Sequence, residues 1–293
     1  MKKASSSLTT PLPTFGFSNP TILNREIMGV QQHQSDARIL DRRTLHKDHR
    51  CLAGVLARGM SVLGVGCGTG AITKGIAEAV GPTGTVVGVD RDQGLIARAR
   101  AHCRLLPNLG FEEEDATSLS FERRFDVVTS ARTLQWIADV AGAISRMARA
   151  TKFGGLIVVL DYNHSLNGWV PKPLAQFTAF YDAFLLWRRS NGWDNEIGNH
   201  LPELFNEAGL IEIRSYTHDE TSALGDHDFA AKTMLWMEVI DNVASALQMS
   251  GFCGAALLDD ARNAYEDWRR KALVKQTLSM KAVVAKVPAA NAA

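Results

Sequence analysis

Short apolar runs alternate with stretches of helical periodicity through the middle of the chain. Runs rich in Val, Leu and Ile lie at residues 61–65, 85–89, 125–129 and 155–160, and a weaker one with Leu and Phe lies at 109–113. Between them, apolar residues recur three and four positions apart, which predicts helices over 71–80, 93–105 and 138–150. Strands and helices that alternate in this way build a parallel sheet with helices on both faces. The pattern therefore predicts an α/β, doubly wound fold.

The alternation ends after the run at 155–160. A segment rich in Trp, Phe and Tyr follows, with a helix predicted at 174–189. Further along, we predict a helix at 201–208, a strand at 211–216, two amphipathic helices near 227–248 and 255–274, and a last strand at 278–287. Loosely helical spacing at 36–56 predicts short helices before the first strand.

The net charge, the length of the apolar runs and the cysteine spacing limit the classes of protein to which the chain can belong. The chain has 293 residues, a net charge of +1, and no apolar run near the roughly 20 residues that span a bilayer. Without a basic excess or an apolar leader, we expect a cytoplasmic protein with neither a nucleic-acid nor a membrane partner. The cysteines are scattered at 51, 67, 103 and 253, which predicts free thiols and no metal site.

The segment Val62–Gly70 is the most informative local sequence. Its glycines at 66, 68 and 70 follow the first apolar run and precede the first predicted helix. Glycine permits a sharp turn and close approach of a ligand to the main chain. The N–H groups at the start of the helix face the same space. This arrangement is typical of a loop that holds a nucleotide-like cofactor at the carboxyl end of a strand.

Two acids and a strand end extend this site. Asp90 ends the second apolar run, 20 residues after Gly70, where a carboxylate can accept hydrogen bonds from ribose hydroxyls. Asp115 follows the third run, where an acid can accept a hydrogen bond from the amine of adenine. The fourth run ends at Ser130 and Ala131, near the reactive end of such a cofactor.

Together these segments resemble the class I S-adenosylmethionine-dependent methyltransferases. VLGVGCGTG at 62–70, VVGVD at 86–90 and EEDAT at 113–117 are similar to the family's glycine, ribose and adenine motifs, and 125–139 and 152–155 to its next two. The resemblance implies a Rossmann-like, mostly parallel seven-stranded sheet, with the last strand antiparallel and inserted beside the fifth. The helices predicted at 174–189, 227–248 and 255–274 are expected to form a helical cap that closes over the methyl acceptor. The resemblance also implies S-adenosylmethionine as cofactor, held by Gly66, Cys67, Gly68, Gly70, Asp90, Arg91, Asp115, Ala116, Ser130 and Ala131.

One position departs from the family pattern. Gly64 stands where the family usually carries Asp or Glu, an acid near the methionine end of the cofactor. Its absence predicts weaker binding, unless another acid such as Asp161 or Glu26 takes its place.

The resemblance divides the chain into segments. We expect a disordered N-terminus at 1–20, N-terminal helices forming a lid at 21–60 and a cofactor-binding core at 61–163. The helical cap is expected at 164–200 and 221–277, and the rest of the sheet at 201–220 and 278–288.

The methyl acceptor is expected to be a small organic molecule, methylated on oxygen or nitrogen. Its pocket is expected to include Arg132, Trp136, Tyr162, Asn163, Trp169, Tyr181 and Arg188, with Phe177, Trp187 and Trp193 as further aromatic candidates and His164 as the candidate base. Phe177, Tyr181 and Arg188 fall on one face of the helix predicted at 174–189, an arrangement that is also typical of a buried core. Asp161 and Asn163 lack a third ligand, so we expect no magnesium.

Three alternatives stay open. The chain could bind the cofactor without transferring methyl groups, or it could act on a protein. Gly66-x-Gly68-x-x-Ala71 also fits the fingerprint of NAD(P)-binding oxidoreductases. That fingerprint assigns no role to Asp115, and the helical segment before the first strand is long for it. A homodimer is also open.

Overall fold

The computed structural model describes residues 37–290. Its main sheet is built from β1 (Ser61–Val65), β2 (Thr85–Asp90), β3 (Leu109–Glu113), β4 (Phe125–Ala131), β5 (Thr151–Tyr162), β7 (Ile211–Thr217) and β10 (Met280–Lys286). The strand order is β3–β2–β1–β4–β5–β10–β7. β1 to β5 run parallel, whereas β10 is antiparallel to both β5 and β7. The predicted seven-stranded sheet with its last strand inserted antiparallel is confirmed.

Both faces of the sheet are buried at its central strands β1, β2 and β4, as expected for parallel strands, whereas the edge strand β7 is mostly exposed. The helices α4 (Ala71–Val80), α5 (Gln93–His102), α6 (Val140–Ala150) and α8 (Ile197–Glu207) accompany its strands. Neighbouring β1 residues point to opposite faces. Val62 packs in a cluster with Ile76 of α4, while Leu63 packs in a cluster with Ile144 of α6 and Leu201 of α8. Burial on both faces explains why the strands appear in the sequence as continuous apolar runs.

Three short helices precede β1: α1 (Ala37–Asp41), α2 (Leu45–Asp48) and α3 (Arg50–Ala53). Leu45 and Leu52 anchor α2 and α3 in the cluster that contains Val62. The predicted disordered segment 1–20, and the part of the predicted lid before residue 37, lie outside the described residues.

The remaining elements form a second packed region beside the sheet. The helices α7 (Ala175–Ser190), α9 (Phe229–Thr233), α10 (Leu235–Met249) and α11 (Ala255–Lys271) enclose a cluster of aromatic side chains. Three short strands, β6 (Gly168–Val170), β8 (Glu220–Ala223) and β9 (Lys275–Leu278), form a small antiparallel sheet in the order β6–β9–β8. The cap segments therefore contain strands as well as the predicted helices.

Some element boundaries differ from the predicted ones. The helix predicted at 227–248 divides at Met234, and α8 begins at Ile197, four residues earlier than predicted. The strand predicted at 278–287 begins at Met280, because Leu278 ends β9 in the small sheet. β5 is longer than predicted and extends from Thr151 to Tyr162.

Candidate active site

The glycine loop is folded back against the end of β2. The N–H groups of Gly66 and Cys67 both donate to the carbonyl of Val89, at 2.8 and 2.9 Å. Gly66, Gly68 and Gly70 have φ angles of 70°, 54° and 78°, which place them in the left-handed region that favours glycine. The loop therefore requires these glycines for its shape, and α4 begins directly after it.

The glycines also permit close approach. A Cβ built on Gly66 would lie 2.2 Å from the hydroxyl of Thr133, and one on Gly68 would lie 2.8 Å from Leu40 Cδ1. Leu40 belongs to α1, so this helix lies over the loop. Sequence reasoning expected a lid in this region but had no signal for Leu40, because the contact joins residues 28 positions apart without a shared motif.

Asp90 holds the loop from the end of β2. Its Oδ2 accepts a hydrogen bond from the N–H of Gly68 at 2.8 Å, and its Oδ1 accepts one from the N–H of Asp92 at 3.1 Å. Burial raises the pKa of Asp90, and these two bonds oppose the rise. Each carboxylate oxygen has a second lone pair, so Asp90 can also accept bonds from two hydroxyls. Arg91 beside it is exposed.

The end of β3 lies next to Asp90. The N–H of Glu114 donates to the carbonyl of Asp90 at 3.2 Å, which brings Asp115 beside the ribose candidate. One oxygen of Asp115 accepts bonds from the N–H and the hydroxyl of Thr117, at 2.8 and 2.6 Å. Ala116 is buried in the core under the sheet.

The ends of β1 and β4 meet in register, with Ser130 paired to Val65. The hydroxyl of Ser130 is buried and has no hydrogen-bond partner among residues 37–290. Ala131 follows it at the strand end. Polar groups without partners are uncommon in folded proteins, so this orphaned hydroxyl marks a place where a further group is expected.

Asp161, a candidate to replace the acid missing at position 64, lies near the end of β5. Asp161 is fully buried, and its two oxygens accept the N–H groups of Gln135 and Tyr162, at 3.2 and 2.9 Å. Burial raises its pKa to about 6, although these bonds and the positive charges of Arg188 and Arg132 oppose the rise. Its carboxylate holds the 3₁₀ turn Leu134–Trp136 to the end of β5. Glu26 lies outside the described residues.

His164 lies inside a polar network. It is 6% exposed, its ring stacks on Tyr162, and its Nε2 lies 2.6 Å from Oε1 of Gln135. Because the amide nitrogen of Gln135 donates to the carbonyl of Arg132, its oxygen must accept, and His164 therefore carries its hydrogen on Nε2. Burial and the charge of Arg188 lower the pKa of His164 well below its usual range. The imidazole is neutral and positions the turn after β4.

Tyr181 and Arg188 of α7 belong to the same network. The hydroxyl of Tyr181 donates to the carbonyl of His164 at 2.6 Å. Arg188 is fully buried, donates to the carbonyl of Gln135 at 2.8 Å and lies over the ring of Trp136 at 4.4 Å. Arg188 therefore joins α7 to the turn after β4, and Tyr181 joins α7 to the turn after β5.

The other aromatic candidates are also core residues. Trp169 packs edge-on against Phe177 and Tyr181, and its indole N–H donates to Gln276 Oε1 at 3.2 Å. Phe177, Trp187 and Trp193 are at most 3% exposed. Asn163 accepts the N–H of Asn199 at 2.8 Å through its side chain. Phe177, Trp187 and Trp193 therefore pack in a buried core, which is the alternative that the helical spacing raised.

The Tyr181 hydroxyl provides a test of this assignment. Tyr181→Phe is expected to lower the free energy of unfolding by about 1 kcal/mol, because the carbonyl of His164 loses a buried donor. KM for the acceptor is expected to stay unchanged. Tyr216→Phe is the matched control, since Tyr216 is 44% exposed. A large rise in KM with unchanged stability would instead place Tyr181 in the acceptor pocket.

Arg132 is the centre of a buried charge cluster at the carboxyl end of β4. Its φ is +58°, and its guanidinium donates to the carbonyl of Asp48 at 3.2 Å and to the carboxylate of Glu220. Burial disfavours its charge, but Glu220, Tyr162 and Asp48 outweigh burial and raise its pKa. Arg132 thereby joins α2, β4 and β8. Asp48 and Glu220 were not predicted, because isolated acids in α2 and β8 carry no motif.

Two buried histidines attach the N-terminal helices to the sheet. His49 Nε2 lies 3.0 Å from the hydroxyl of Thr129, which itself donates to the carbonyl of Val158. His218 accepts the N–H of Arg50 at 3.1 Å. Burial, with the nearby charges of Arg132 and His218, lowers the pKa of His49 to about 3.

This pKa predicts a dependence of stability on pH. An unfolded histidine titrates near 6.5, so the folded protein binds fewer protons, and the contribution of His49 is present above that pH and is lost on acidification toward about 3. From pH 7.5 to 5.5 the loss is about 1.4 kcal/mol. The free energy of unfolding of His49→Gln, measured by denaturant at each pH, is expected to fall by about 1.4 kcal/mol less than that of the parent over this range. The raised pKa of Asp161 changes stability with pH in the opposite direction. Asp161 is present in both proteins, so its contribution cancels in the comparison. Parallel profiles for the two proteins would contradict the assignment.

A cleft among the described residues lies away from the predicted site, and those residues form neither a metal-binding cluster nor a membrane-spanning helix. A cleft of about 400 Å³ lies between α3 and the outer strands β7 and β10, and it is lined by none of the predicted site residues. Within residues 37–290, no group of three His, Cys, Asp or Glu side chains is placed to hold a metal ion. Over the same range, no helix has the length and apolar character needed to cross a bilayer.

The chain is similar to known proteins in both sequence and structure. Residues 56–209 match the family described as "Methyltransferase domain". The demethylmenaquinone methyltransferase of Lactococcus lactis subsp. lactis is 28% identical over 193 residues, which cover 60% of this chain and 74% of that protein. The enzyme of the same name from Staphylococcus aureus is 29% identical over 173 residues, covering 54% and 70%.

Solved structures share the fold. The Haemonchus contortus phosphoethanolamine N-methyltransferase 2, in complex with phosphomonomethylethanolamine and S-adenosylhomocysteine, superposes with a TM-score of 0.51 and 19% identity. The superposition covers 81% of this chain and about half, 51%, of that one. The YcgJ protein from Bacillus subtilis superposes with a TM-score of 0.54 and 16% identity, covering 83% and 98%.

Proposed function

This chain belongs to the methyltransferase domain family, as a class I S-adenosylmethionine-dependent methyltransferase, and from that premise we propose that it methylates a small organic acceptor. The observation that carries the proposal is the loop at Gly66–Gly70 with Asp90 bound to it at 2.8 Å. The relatives are named for small acceptors, a demethylmenaquinone and a phosphoethanolamine. Those names support the acceptor class and not its identity.

The residues at the loop fit an adenosyl cofactor. The main chain at Gly68 carries no side chain, although Leu40 of α1 packs against it, and the carboxylate of Asp90 has lone pairs for the ribose hydroxyls. Asp115 supplies an acceptor for the adenine amine, and Ser130 offers a buried hydroxyl toward the reactive end. Cys67, Arg91, Ala116 and Ala131 complete the proposed set through their neighbouring positions in the loop and strand ends.

Bound S-adenosylmethionine supplies an electrophilic methyl group on a positively charged sulfur. The chain's task is to align the acceptor with that methyl and to keep water out, since alignment alone can account for much of the rate. We assign the acceptor side to the ends of β4 and β5, at Arg132 and Tyr162. Burial raises the pKa of Tyr162, so its hydroxyl stays protonated and can donate a hydrogen bond. His164 is assigned a positioning role, because its Nε2–H already binds Gln135.

Radiolabelled methyl transfer tests the proposal. The protein is incubated with methyl-labelled cofactor and either the small-molecule or the protein fraction of a cell extract. Label is expected in an organic-soluble or water-soluble small product. Label confined to protein would contradict the small-acceptor assignment. Tight cofactor binding with no labelled product from either fraction would favour a binding protein without transfer activity.

A further inference from the structure

Three loops meet at the outer end of the small sheet formed by β6, β9 and β8. The N–H of Val274 donates to the carbonyl of Val170 at 2.7 Å, and the N–H of Leu224 donates to the carbonyl of Val274 at 2.7 Å. These bonds place the main chains of the three residues side by side at the end of the small sheet, where Val170 lies opposite Lys275. Leu174 follows Val170 within the same loop. We call Val170, Lys172, Leu174, Leu224, Val274 and Lys275 the tip.

The apolar side chains of the tip are exposed. Leu224 is 66% exposed, Val170 51%, Val274 48% and Leu174 44%. Among the described residues only 11 large apolar side chains are this exposed, and four of them are in the tip. Scattered exposed apolar residues need no explanation, but a cluster of them marks a surface that contacts something apolar.

The polar residues of the tip are basic. Lys172 and Lys275 are exposed, and within residues 37–290 neither makes an ion pair. The nearby acid Asp226 accepts the N–H of Ala223 at 2.8 Å and so holds the loop that presents Leu224. At the end of α11, Lys271 is paired with Asp267. The tip therefore combines apolar side chains with two exposed lysines that make no ion pair among the described residues, while the exposed Asp226 follows Leu224 by two residues.

The exposed apolar side chains and the two lysines of the tip favour an anionic lipid surface over a second copy of the chain as its partner. A second copy of the chain in a twofold contact would bring Lys172 and Lys275 against the same lysines, which repel each other. An anionic lipid surface instead accepts apolar side chains between its headgroups and attracts the lysines. No helix among the described residues can cross a bilayer, so such contact would be at the surface.

We propose that the tip docks on the surface of an anionic lipid bilayer. Val170, Leu174, Leu224 and Val274 enter the headgroup region, and Lys172 and Lys275 contact acidic lipids. This departs from the sequence-based expectation of no membrane partner. β8 runs from Glu220, which binds Arg132, to Ala223 at the tip, a span of about 10 Å. The docking itself is independent of the methyl-transfer reaction.

Vesicle co-sedimentation tests the proposal. The full-length protein is mixed with vesicles of phosphatidylcholine alone or with about 30% phosphatidylglycerol, at about 1 mM lipid. We expect about fivefold more bound protein on the anionic vesicles, and a loss of this binding at high salt. Absence of binding to the anionic vesicles, or equal binding to both, would overturn the proposal.

Variants locate the contact. Leu224→Ser with Val274→Ser is expected to reduce binding to anionic vesicles about fivefold, and Lys172→Glu with Lys275→Glu to abolish the preference for acidic lipid. Leu105→Ser is the matched control, because Leu105 is 83% exposed and lies outside the tip. Thermal unfolding of each variant checks that it folds. An equal reduction by the control, or a dimer that sedimentation shows to be lost only in the tip variants, would contradict the proposal.

Discussion

Gly68→Ala is expected to weaken S-adenosylmethionine binding by about 100-fold or more, equivalent to about 2.7 kcal/mol. A Cβ on this residue would lie 2.8 Å from Leu40 Cδ1, so the variant must shift α1 or the loop along which we place the cofactor. The φ of +54° at this residue is strained for any side chain. The substitution is therefore also expected to weaken the hydrogen bond from the N–H of residue 68 to Asp90. Isothermal titration with S-adenosylhomocysteine measures the effect.

The control for this variant is Gly209→Ala. Gly209 has a similar left-handed φ of +74°, but nothing lies within 4 Å of a Cβ built there. Both variants are expected to lose about 1 kcal/mol of stability from backbone strain. Only Gly68→Ala is expected to lose affinity. If both variants bind the ligand as the parent does, the cofactor does not lie at this loop.

Asp90→Ala is expected to weaken cofactor binding by about 10- to 100-fold, because two ribose hydroxyls lose their acceptor. The substitution also removes the acceptor for the N–H of Gly68, so a loss of affinity alone would not separate ribose binding from loop support. The ligand must therefore be varied together with the protein.

A cycle with S-adenosylhomocysteine and its 2′-deoxy analogue separates the two effects. Removal of the hydroxyl is expected to cost the parent protein about tenfold in affinity and the variant little, since its partner is already gone. The four dissociation constants come from the same titration. An equal loss in both proteins would mean that Asp90 supports the loop and does not bind the ribose.

The centre of the sheet was predictable because β1, β2 and β4 are short and buried on both faces. β1 and β3 begin and end where the apolar runs do, and α4 fills the predicted range 71–80. The small sheet was not predictable. β6 has three residues and β8 has four, which is too short to show a period of two. Only Ser279 separates β9 from β10, so the two read as one strand in the sequence.

The same contrast holds at the site. The glycine loop and Asp90 are recognisable because local turns and strand ends dictate their residues. Arg132 was predicted from its position after β4, but its partners Asp48 and Glu220 come from elements 84 and 88 residues away. Contacts of this kind depend on the packing of α2 and β8 against the sheet, and no spacing in the chain encodes them.

The polar network around Gln135 explains why the aromatic segment was ambiguous. Arg188 and Tyr181 lie on the buried face of α7, yet each directs a polar group at the turn after β4 or the one after β5. Helical spacing reports which face is buried but not whether a ligand or another part of the chain is there. In this structure α7 is linked to the loops that border the proposed acceptor side.

A crystal structure with S-adenosylhomocysteine tests the central claim most directly. We expect the ribose hydroxyls within hydrogen-bond distance of the Asp90 carboxylate and the homocysteine portion across residues 66–70. We also expect the sulfur to face the ends of β4 and β5. Ligand density at another place, or none at a saturating concentration, would contradict this claim.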